Sequence, residues 1–236
     1  KAQVVDISLA KNEYSSDETF QAYIKSNINL EEEIGVSSFK LYDPNNINIP
    51  IASFFLKLEN NYYAIYFDLP SNLNNGDYKL IIKDIKFFEN GILKQQDFSK
   101  NFSIKSDNII ISVNPAIIKA SDEELVDITL KNKGNQTTEI SLTSDEEILL
   151  EKTNFVLNKD KVGQFQALIR KGAKERNIFL NYGGKQFKLF IYSSYPDNIT
   201  INQTQVVIPK DAIRSIENRE LINITLDYGE TINGQV

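Results

Sequence analysis

The sequence contains no cysteine, histidine, tryptophan or methionine. Without cysteine there is no disulfide framework, no thiol nucleophile and no cysteine-based zinc site. Without histidine the commonest general base and the commonest zinc ligand are both missing, which excludes serine–histidine and cysteine–histidine catalysis and haem bound by a proximal histidine. The composition therefore points away from most hydrolytic and redox enzymes.

Long apolar runs and basic runs are also missing. No stretch approaches the roughly 18 apolar residues of a membrane-spanning helix. The 26 basic and 32 acidic residues are interspersed, so nucleic-acid binding is not expected. Because the chain starts at Lys1 and has no methionine, we expect it to be a processed or excised piece of a longer product.

Most of the chain alternates apolar and polar residues with a period of two, which is typical of strands with one buried face. Examples are "TFQAYIK" (19–25), "YYAIYFDL" (62–69) and "DYKLIIK" (77–83). Asparagine- and glycine-rich turns separate the segments, as in "LENNYY" (58–63) and "FENGIL" (88–93). The first part of the chain therefore predicts about seven antiparallel strands at the spacing of a sandwich.

A second run of strands begins near residue 106, where "SDNIIISVNPAII" (106–118) continues through a proline as edge strands do. It ends near residue 195, after a hairpin that turns on two glycines. We therefore predict one sandwich over residues 1–106 and a second over residues 107–195.

The remaining residues, 196–236, are too few for a third sandwich, which needs about a hundred. They contain strand-like pieces and one short helix candidate at 211–222. We interpret them either as the start of a third β domain or as a segment that donates a strand to another domain.

Several motifs resemble those of tandem immunoglobulin-like modules in archaeal and bacterial surface proteins. In the first unit, "ISLAKNEYSSDETFQAYI", "KLYDPNN" and "FDLPSNLNNGDYKLII" are similar to macroglobulin-type modules. In the second, "VNPAIIKASDEELVDITLKNKGNQTTEISL" is similar to adhesion-related modules. The resemblance implies an all-β fold of tandem immunoglobulin-like antiparallel β-sandwiches with a partial third β unit. The thioester of full macroglobulins does not carry over, because it requires a cysteine.

Acidic clusters at 31–33, 121–124 and 144–147 raise the question of calcium, which takes six to eight oxygen ligands. No Asp-x-Asp-x-Asp-Gly loop is present, so solvated loops are the alternative interpretation. Asp122 and Glu123, near the boundary between the units, are the best candidate ligands. Apart from calcium, no cofactor is expected.

Tyrosines on the polar side of two strands suggest a binding face. Tyr62 and Tyr66 share one side of their strand, and Tyr23 lies on the corresponding side of another. An exposed row of this kind could stack on sugars or anchor a partner protein, or it could form cross-strand pairs that stabilise the sheet. Tyr78, just after a glycine turn, is a candidate for the tyrosine corner of sandwich domains.

Five asparagines stand in N-x-S/T triplets and are candidate glycosylation sites: Asn101, Asn135, Asn198, Asn202 and Asn223. Asn135 lies in a predicted turn, and Asn198 and Asn202 follow a predicted domain end. These positions favour exposed acceptors.

Together these features predict a non-enzymatic extracellular module, namely a subunit of a microbial surface layer, filament or adhesin. It would act as a spacer and associate with itself or with other surface proteins at the cell surface. The alternative is a receptor ectodomain that binds carbohydrate or protein through its aromatic face, with glycans among its partners.

Overall fold

The computed structural model describes residues 4–193, 221–225 and 231–235. In these ranges the chain forms β-strands, one 3-10 turn at Val36–Ser38 and no α-helix. No helix in the described residues is long and apolar enough to cross a membrane. The all-β prediction is confirmed, and the two sandwiches in residues 4–193 belong to one compact unit.

The first sandwich contains nine strands: β1 (Val5–Leu9), β2 (Glu13–Tyr14), β3 (Thr19–Ser26), β4 (Phe39–Tyr42), β5 (Asn48–Ile49), β6 (Phe54–Glu59), β7 (Tyr62–Asp68), β8 (Gly76–Glu89) and β9 (Ile92–Ile104). One sheet has the order β1-β3-β7-β6 and the other β2-β9-β8-β4-β5. The predicted number of about seven strands was too low. The first edge strand is divided into β1, which pairs with β3, and β2, which pairs with β9 in parallel, and the two-residue strand β5 adds a second edge beside β4.

The second sandwich also contains nine strands: β10 (Ile111–Asn114), β11 (Ile117–Ala120), β12 (Glu124–Asn132), β13 (Thr138–Ser144), β14 (Ile148–Leu150), β15 (Asn154–Leu157), β16 (Val162–Ile169), β17 (Glu175–Tyr182) and β18 (Lys185–Ser193). Its sheets have the orders β10-β12-β16-β14 and β11-β18-β17-β13-β15. Both sandwiches thus place four strands against a sheet that contains the last two, in the manner of immunoglobulin-like domains.

The two sandwiches differ in how the chain reaches their edges. In the first, the chain adds β5 beside β4 before it crosses to β6 in the other sheet. In the second, it crosses to β14 first and then returns to β15 beside β13. The strands therefore occupy equivalent places although the chain visits them in a different order.

The predicted turns are present. The hairpin between β6 and β7 turns at Asn61, whose φ is 61°, and the hairpin between β8 and β9 turns at Asn90 and Gly91, with φ of 55° and 77°. Asparagine and glycine tolerate this left-handed backbone, which matches the twist of tight hairpins. Pro115 separates β10 from β11, as expected for an edge strand.

Alternation places one apolar face of each sheet in a sandwich core. In the first sandwich these residues include Phe20, Leu41 and Leu80, which are all 0% exposed. The core of the second sandwich, around Ile128 and Leu180, is continuous with Leu58, Ala64 and Tyr66 of the first. The apolar packing therefore does not stop at the boundary between the sandwiches.

The C-terminal part contains β19 (Leu221–Thr225) and β20 (Thr231–Gln235), which form an antiparallel hairpin. Most of the helix candidate, residues 211–220, lies outside the described residues, and Leu221 begins a strand. Whether 196–236 starts a third domain or donates a strand stays a prediction.

Candidate functional site, the face shared by the two sandwiches

Two strands with both faces buried meet where the sandwiches join. In β7, five consecutive residues from Tyr63 to Phe67 are buried, and in β18 five consecutive residues from Leu189 to Ser193 are buried. A strand that is buried along a continuous run has packing on both faces. For β7 one face covers the first core and the other covers the second sandwich.

The predicted tyrosine row lies in this contact. The Tyr23 ring packs edge-on against Phe190, with centroids 5.2 Å apart, and the Tyr62 ring packs edge-on against Tyr192 at 6.0 Å. Tyr66 is 6% exposed and stacks on Phe54 at 4.9 Å. The row is therefore not an open face, because the second sandwich covers the side of β3 and β7 that alternation leaves outside the first core.

Burial changes the acidity of these tyrosines. It raises the pKa of Tyr62 and of Tyr66 to about 12, and the carboxylate of Glu175 adds to the effect at Tyr62. Burial also raises the pKa of Tyr23, with smaller contributions from neighbouring tyrosines and Glu175. The shared face thus favours neutral phenols, as expected where water is excluded.

Gln21 makes the most directed polar contact across the boundary. Its Nε2 donates to the carbonyl oxygen of Ala116 at 2.9 Å and to that of Lys188 at 3.1 Å. The side chain is 1% exposed, so both carbonyl groups would otherwise lose a partner in a dry environment. Gln21 therefore fixes β3 against β18 and against the residue that precedes β11.

Asp68 at the end of β7 forms a second polar link. Its carboxylate accepts hydrogen bonds from the Thr19 hydroxyl at 2.7 Å and from the Ser112 hydroxyl at 2.6 Å. The Thr19 hydroxyl oxygen accepts in turn from the backbone amide of Val113 at 2.9 Å. Two strands of the first sandwich are thereby joined to β10 of the second.

Ion pairs surround the contact at its exposed edge. Lys174 pairs with Glu59, and Lys133 lies 3.7 Å from Asp17. Each pair joins one sandwich to the other, but pairs exposed to solvent contribute at most about 1 kcal/mol. The stability of the contact comes mainly from the buried aromatic and amide groups.

A cleft of about 480 Å³ opens beside this contact. It is lined by three lysines, and each pairs with a carboxylate: Lys11 with Glu18, Lys105 with Glu13 and Lys185 with Asp107. Burial by itself raises the pKa of Asp107, but the amide of Ile109 and the ammonium of Lys185 hold it below its usual value. The cleft is therefore electrically balanced.

The candidate calcium ligands have other partners. A carboxylate oxygen of Asp122 accepts from Arg176 at 3.2 Å, and a carboxylate oxygen of Glu123 accepts from the backbone amide of Lys171 at 3.3 Å. Arg176 is fully buried and also donates to the Ser193 hydroxyl and the Arg170 carbonyl. Among the residues that the structure describes, no three acidic side chains converge on one point. Calcium binding at Asp122 and Glu123 stays a prediction.

Two of the five candidate glycosylation sites have described side chains. Asn101 is exposed on the outer side of β9, and Asn135 is exposed in a turn, where its Nδ2 donates to Asn108 at 3.1 Å. Asn223 lies in β19, and Asn198 and Asn202 are outside the described residues. Of the two described sites, Asn101 lies in the first sandwich and Asn135 in the second.

Alternation along the strands does not identify Gln21, Phe190 or Tyr192 as contact residues. A signal was present in "LFIYS" (189–193), which is apolar on both sides of the strand and so predicts burial on both faces. Nothing around Gln21 distinguishes it from a solvent-facing residue.

No family model and no curated protein matches the chain. Among solved structures it is similar to a DUF4785 family protein from Legionella pneumophila, with 13% identity over 81% of this chain and 58% of that chain and a TM-score of 0.37. The N-terminal immunoglobulin module of the Drosophila receptor tyrosine phosphatase DLAR has 10% identity over 82% of this chain and 100% of that chain, with a TM-score of 0.32. The Escherichia coli adhesin FdeC has 9% identity over 83% of this chain and 65% of that chain, with a TM-score of 0.27. The chain thus spans less than two thirds of the Legionella protein and of FdeC.

Proposed function

We propose that this chain is a non-enzymatic structural module of a microbial cell surface, which holds two immunoglobulin-like sandwiches in a fixed relative orientation. The observation that carries the proposal is the shared face, where Gln21, Tyr23 and Tyr62 of one sandwich contact the other directly. Contacts between domains that move freely are usually more polar and wetter. A buried aromatic and amide contact favours a stiff spacer.

Stiffness can be measured by electron-spin distance spectroscopy. The chain has no cysteine, so Asn45→Cys and Lys159→Cys, which replace exposed turn residues in the two sandwiches, attach spin labels at those two sites only. We expect one narrow distance distribution. The same labels on a Gln21→Ala/Tyr23→Ala chain should give a broader distribution, because the shared face loses an amide and a ring.

The matched control replaces two exposed residues outside the contact, Gln164→Ala and Phe88→Ala, and should leave the distribution narrow. A broad distribution in the unaltered chain would contradict the spacer function. So would a narrow distribution that the Gln21→Ala/Tyr23→Ala changes do not affect.

The extracellular location and the glycans are part of the same proposal. Asn101 and Asn135 are accessible on the surface, which supports them as acceptors. Intact mass and glycopeptide mapping of native material test all five asparagines. If all five are unmodified, the glycosylated surface location loses its support, whereas the spacer function is judged by the distance measurement alone.

The receptor function would need a surface other than the row formed by Tyr23, Tyr62 and Tyr66. The receptor function was suggested by the tyrosine row, and that row packs on the second sandwich. A glycan array of the intact chain would detect such binding at any other surface.

A further inference from the structure

Three leucines form a row on the outer face of the second sandwich. Leu125 in β12 lies opposite Leu168 in β16, which in turn lies opposite Leu149 in β14. Leu125 is 55% exposed and Leu149 is 42% exposed. Directly opposite residues on adjacent strands are neighbours on the same face, so these side chains form one apolar strip across about 10 Å of sheet. We call it the leucine row.

The rows on either side of the leucine row are acidic. One contains Asp127, Gln166 and Glu151, where the Gln166 amide donates to Asp127 at 2.8 Å. The other contains Glu123, Arg170 and Glu147. The Arg170 amide donates to the Glu147 carbonyl oxygen at 2.8 Å, and the Glu123 amide donates to the carbonyl oxygen of Ile169, the residue before Arg170, at 2.6 Å. Together the two rows carry four carboxylates and one guanidinium. An exposed apolar strip with a charged frame is typical of an interaction surface.

A basic face is present on the five-stranded sheet of the first sandwich. Lys40 lies opposite Ile81, and Tyr42 lies opposite Lys79, with all four side chains on the outer side of the sheet. The Lys83 ammonium lies 5.6 Å from the centre of the Tyr42 ring. These five residues form the lysine face. In the described part of the chain none of its three ammonium groups lies within ion-pair distance of a carboxylate. The hydroxyl of Tyr42 and, more weakly, the carboxylates of Asp97 and Asp84 raise the pKa of Lys83, so its ammonium group stays charged.

We propose that the leucine row of one copy binds the lysine face of a second copy. The two surfaces are complementary, because the apolar leucine strip faces Ile81 and the Tyr42 ring, while the acidic rows face Lys40, Lys79 and Lys83. Both surfaces are outer faces of β-sheets, so neither contains a deep groove that would exclude the other. This inference rests on the proposed structural function, since it supplies the way in which spacer modules associate.

The two surfaces belong to different sandwiches of the same chain. Each copy therefore keeps a free lysine face after its leucine row is occupied, and a free leucine row after its lysine face is occupied. A contact of this kind is heterologous and extends to open chains or closed rings rather than stopping at a dimer.

A candidate glycosylation site lies beside the lysine face. Asn101 lies opposite Lys79 on the outer side of the sheet. A glycan on Asn101 would cover the lysine face and prevent the contact. Modification of Asn101 would then regulate assembly.

The test is sedimentation velocity of the intact, unglycosylated 236-residue chain over a range of concentrations. We expect oligomers larger than dimers to form as the concentration rises. Leu125→Ser/Leu149→Ser, the row variant, and Lys40→Glu/Lys79→Glu, the lysine variant, should each weaken self-association about tenfold or more. An equimolar mixture of the two should form one-to-one dimers and nothing larger, because only one intact surface of each kind remains.

Controls distinguish the contact from loss of folding or from general surface effects. Val156→Ser and Lys159→Glu change an exposed apolar residue and an exposed lysine elsewhere and should not affect association. Adding Asp127→Lys and Glu151→Lys to the lysine variant reverses the charge of both surfaces and should restore association.

Three results would overturn the proposal. The first is an unaltered chain that stays monomeric at all concentrations. The second is a lysine variant that associates as well as the unaltered chain, because that result would indicate contact between two leucine rows. The third is a mixture of the two variants that contains monomers only. A monomeric chain that still gives a narrow spin-label distance would overturn this contact and leave the spacer function in place.

Discussion

The ring of Tyr23 in β3 meets the ring of Phe190 in β18 edge-on, at an interplanar angle of 72°. This pair joins the outer face of the first sandwich to the last strand of the second. It converts a tyrosine that alternation assigns to solvent into part of a buried contact. The mechanical behaviour of the chain depends on contacts of this kind.

Replacing Tyr23 with alanine should lower the free energy of unfolding by about 2–4 kcal/mol, because a large ring is lost and a cavity is left beside Phe190. Urea denaturation of the purified chain measures the change. Phe88→Ala, which removes an aromatic ring that is 52% exposed, is the matched control and should change the free energy by at most about 0.5 kcal/mol. Equal effects of the two substitutions would contradict the role of Tyr23.

Stability should fall as the pH rises above 10. Below pH 10 tyrosines are neutral in both the folded and the unfolded states, so their ionisation does not make stability change with pH. Above pH 10 the unfolded chain loses phenolic protons, while Tyr62 and Tyr66, with a pKa of about 12, keep theirs in the folded state. The unfolded state then binds fewer protons, so the free energy of unfolding decreases through this window.

Urea midpoints at about pH 9 and about pH 11 measure this effect. Tyrosinate absorbance follows the ionisation directly, because the chain contains no tryptophan. A Tyr62→Phe/Tyr66→Phe chain should lose less stability over the same interval, since it has two fewer hydroxyl groups to ionise. An identical loss in both chains would show that these two tyrosines do not contribute.

Gln21→Met should cost about 1–3 kcal/mol, because methionine fills a similar volume but removes the amide that donates to the carbonyl groups of Ala116 and Lys188. The Ala116 carbonyl oxygen then keeps the backbone amide of Phe190 as a donor, at 3.2 Å. Equilibrium denaturation measures the loss. Gln164→Met, at an exposed position on the outer face of β16, is the control and should be close to neutral. If Gln21→Met is also neutral, water replaces the amide and the contact is wetter than we infer.

Tyr78→Phe should cost about 1 kcal/mol, because the Tyr78 hydroxyl donates to the carbonyl oxygen of Asn74 at 2.9 Å. This hydrogen bond to backbone four residues upstream confirms the predicted tyrosine corner. Tyr63 has the same exposure, 3%, and its hydroxyl forms no hydrogen bond to the described residues. Thermal unfolding should therefore show a smaller loss for Tyr63→Phe, and the opposite order would contradict the corner.

Local signals in the sequence were sufficient for the strands and their turns. Alternation of Phe20, Ala22 and Ile24 predicts one buried face, and all three side chains are fully buried. Asn90 and Gly91 predict the tight hairpin, because few other residues adopt positive φ at low cost. Division of the first edge strand between two sheets has no such local signal, since it depends on where β9 ends.

The candidate site was less accessible to sequence analysis. Tyr23, Tyr62 and Tyr66 were correctly grouped on the side away from the first core, but alternation does not identify what covers that side. The leucine row was missed because Leu125 and Leu149 occupy single apolar positions on an otherwise polar face. Only the register of β12, β16 and β14 brings them together.

The sequence by itself determined the all-β class, the tight turns and the absence of histidine and cysteine chemistry, because residue types and a period of two act over a few neighbouring residues. The tertiary structure alone decided that the tyrosine face is closed by Phe190 and Tyr192, and that distant lysines and leucines form two separate outer surfaces. Those relationships join residues far apart along the chain, and strand pairing across the sheets fixes them.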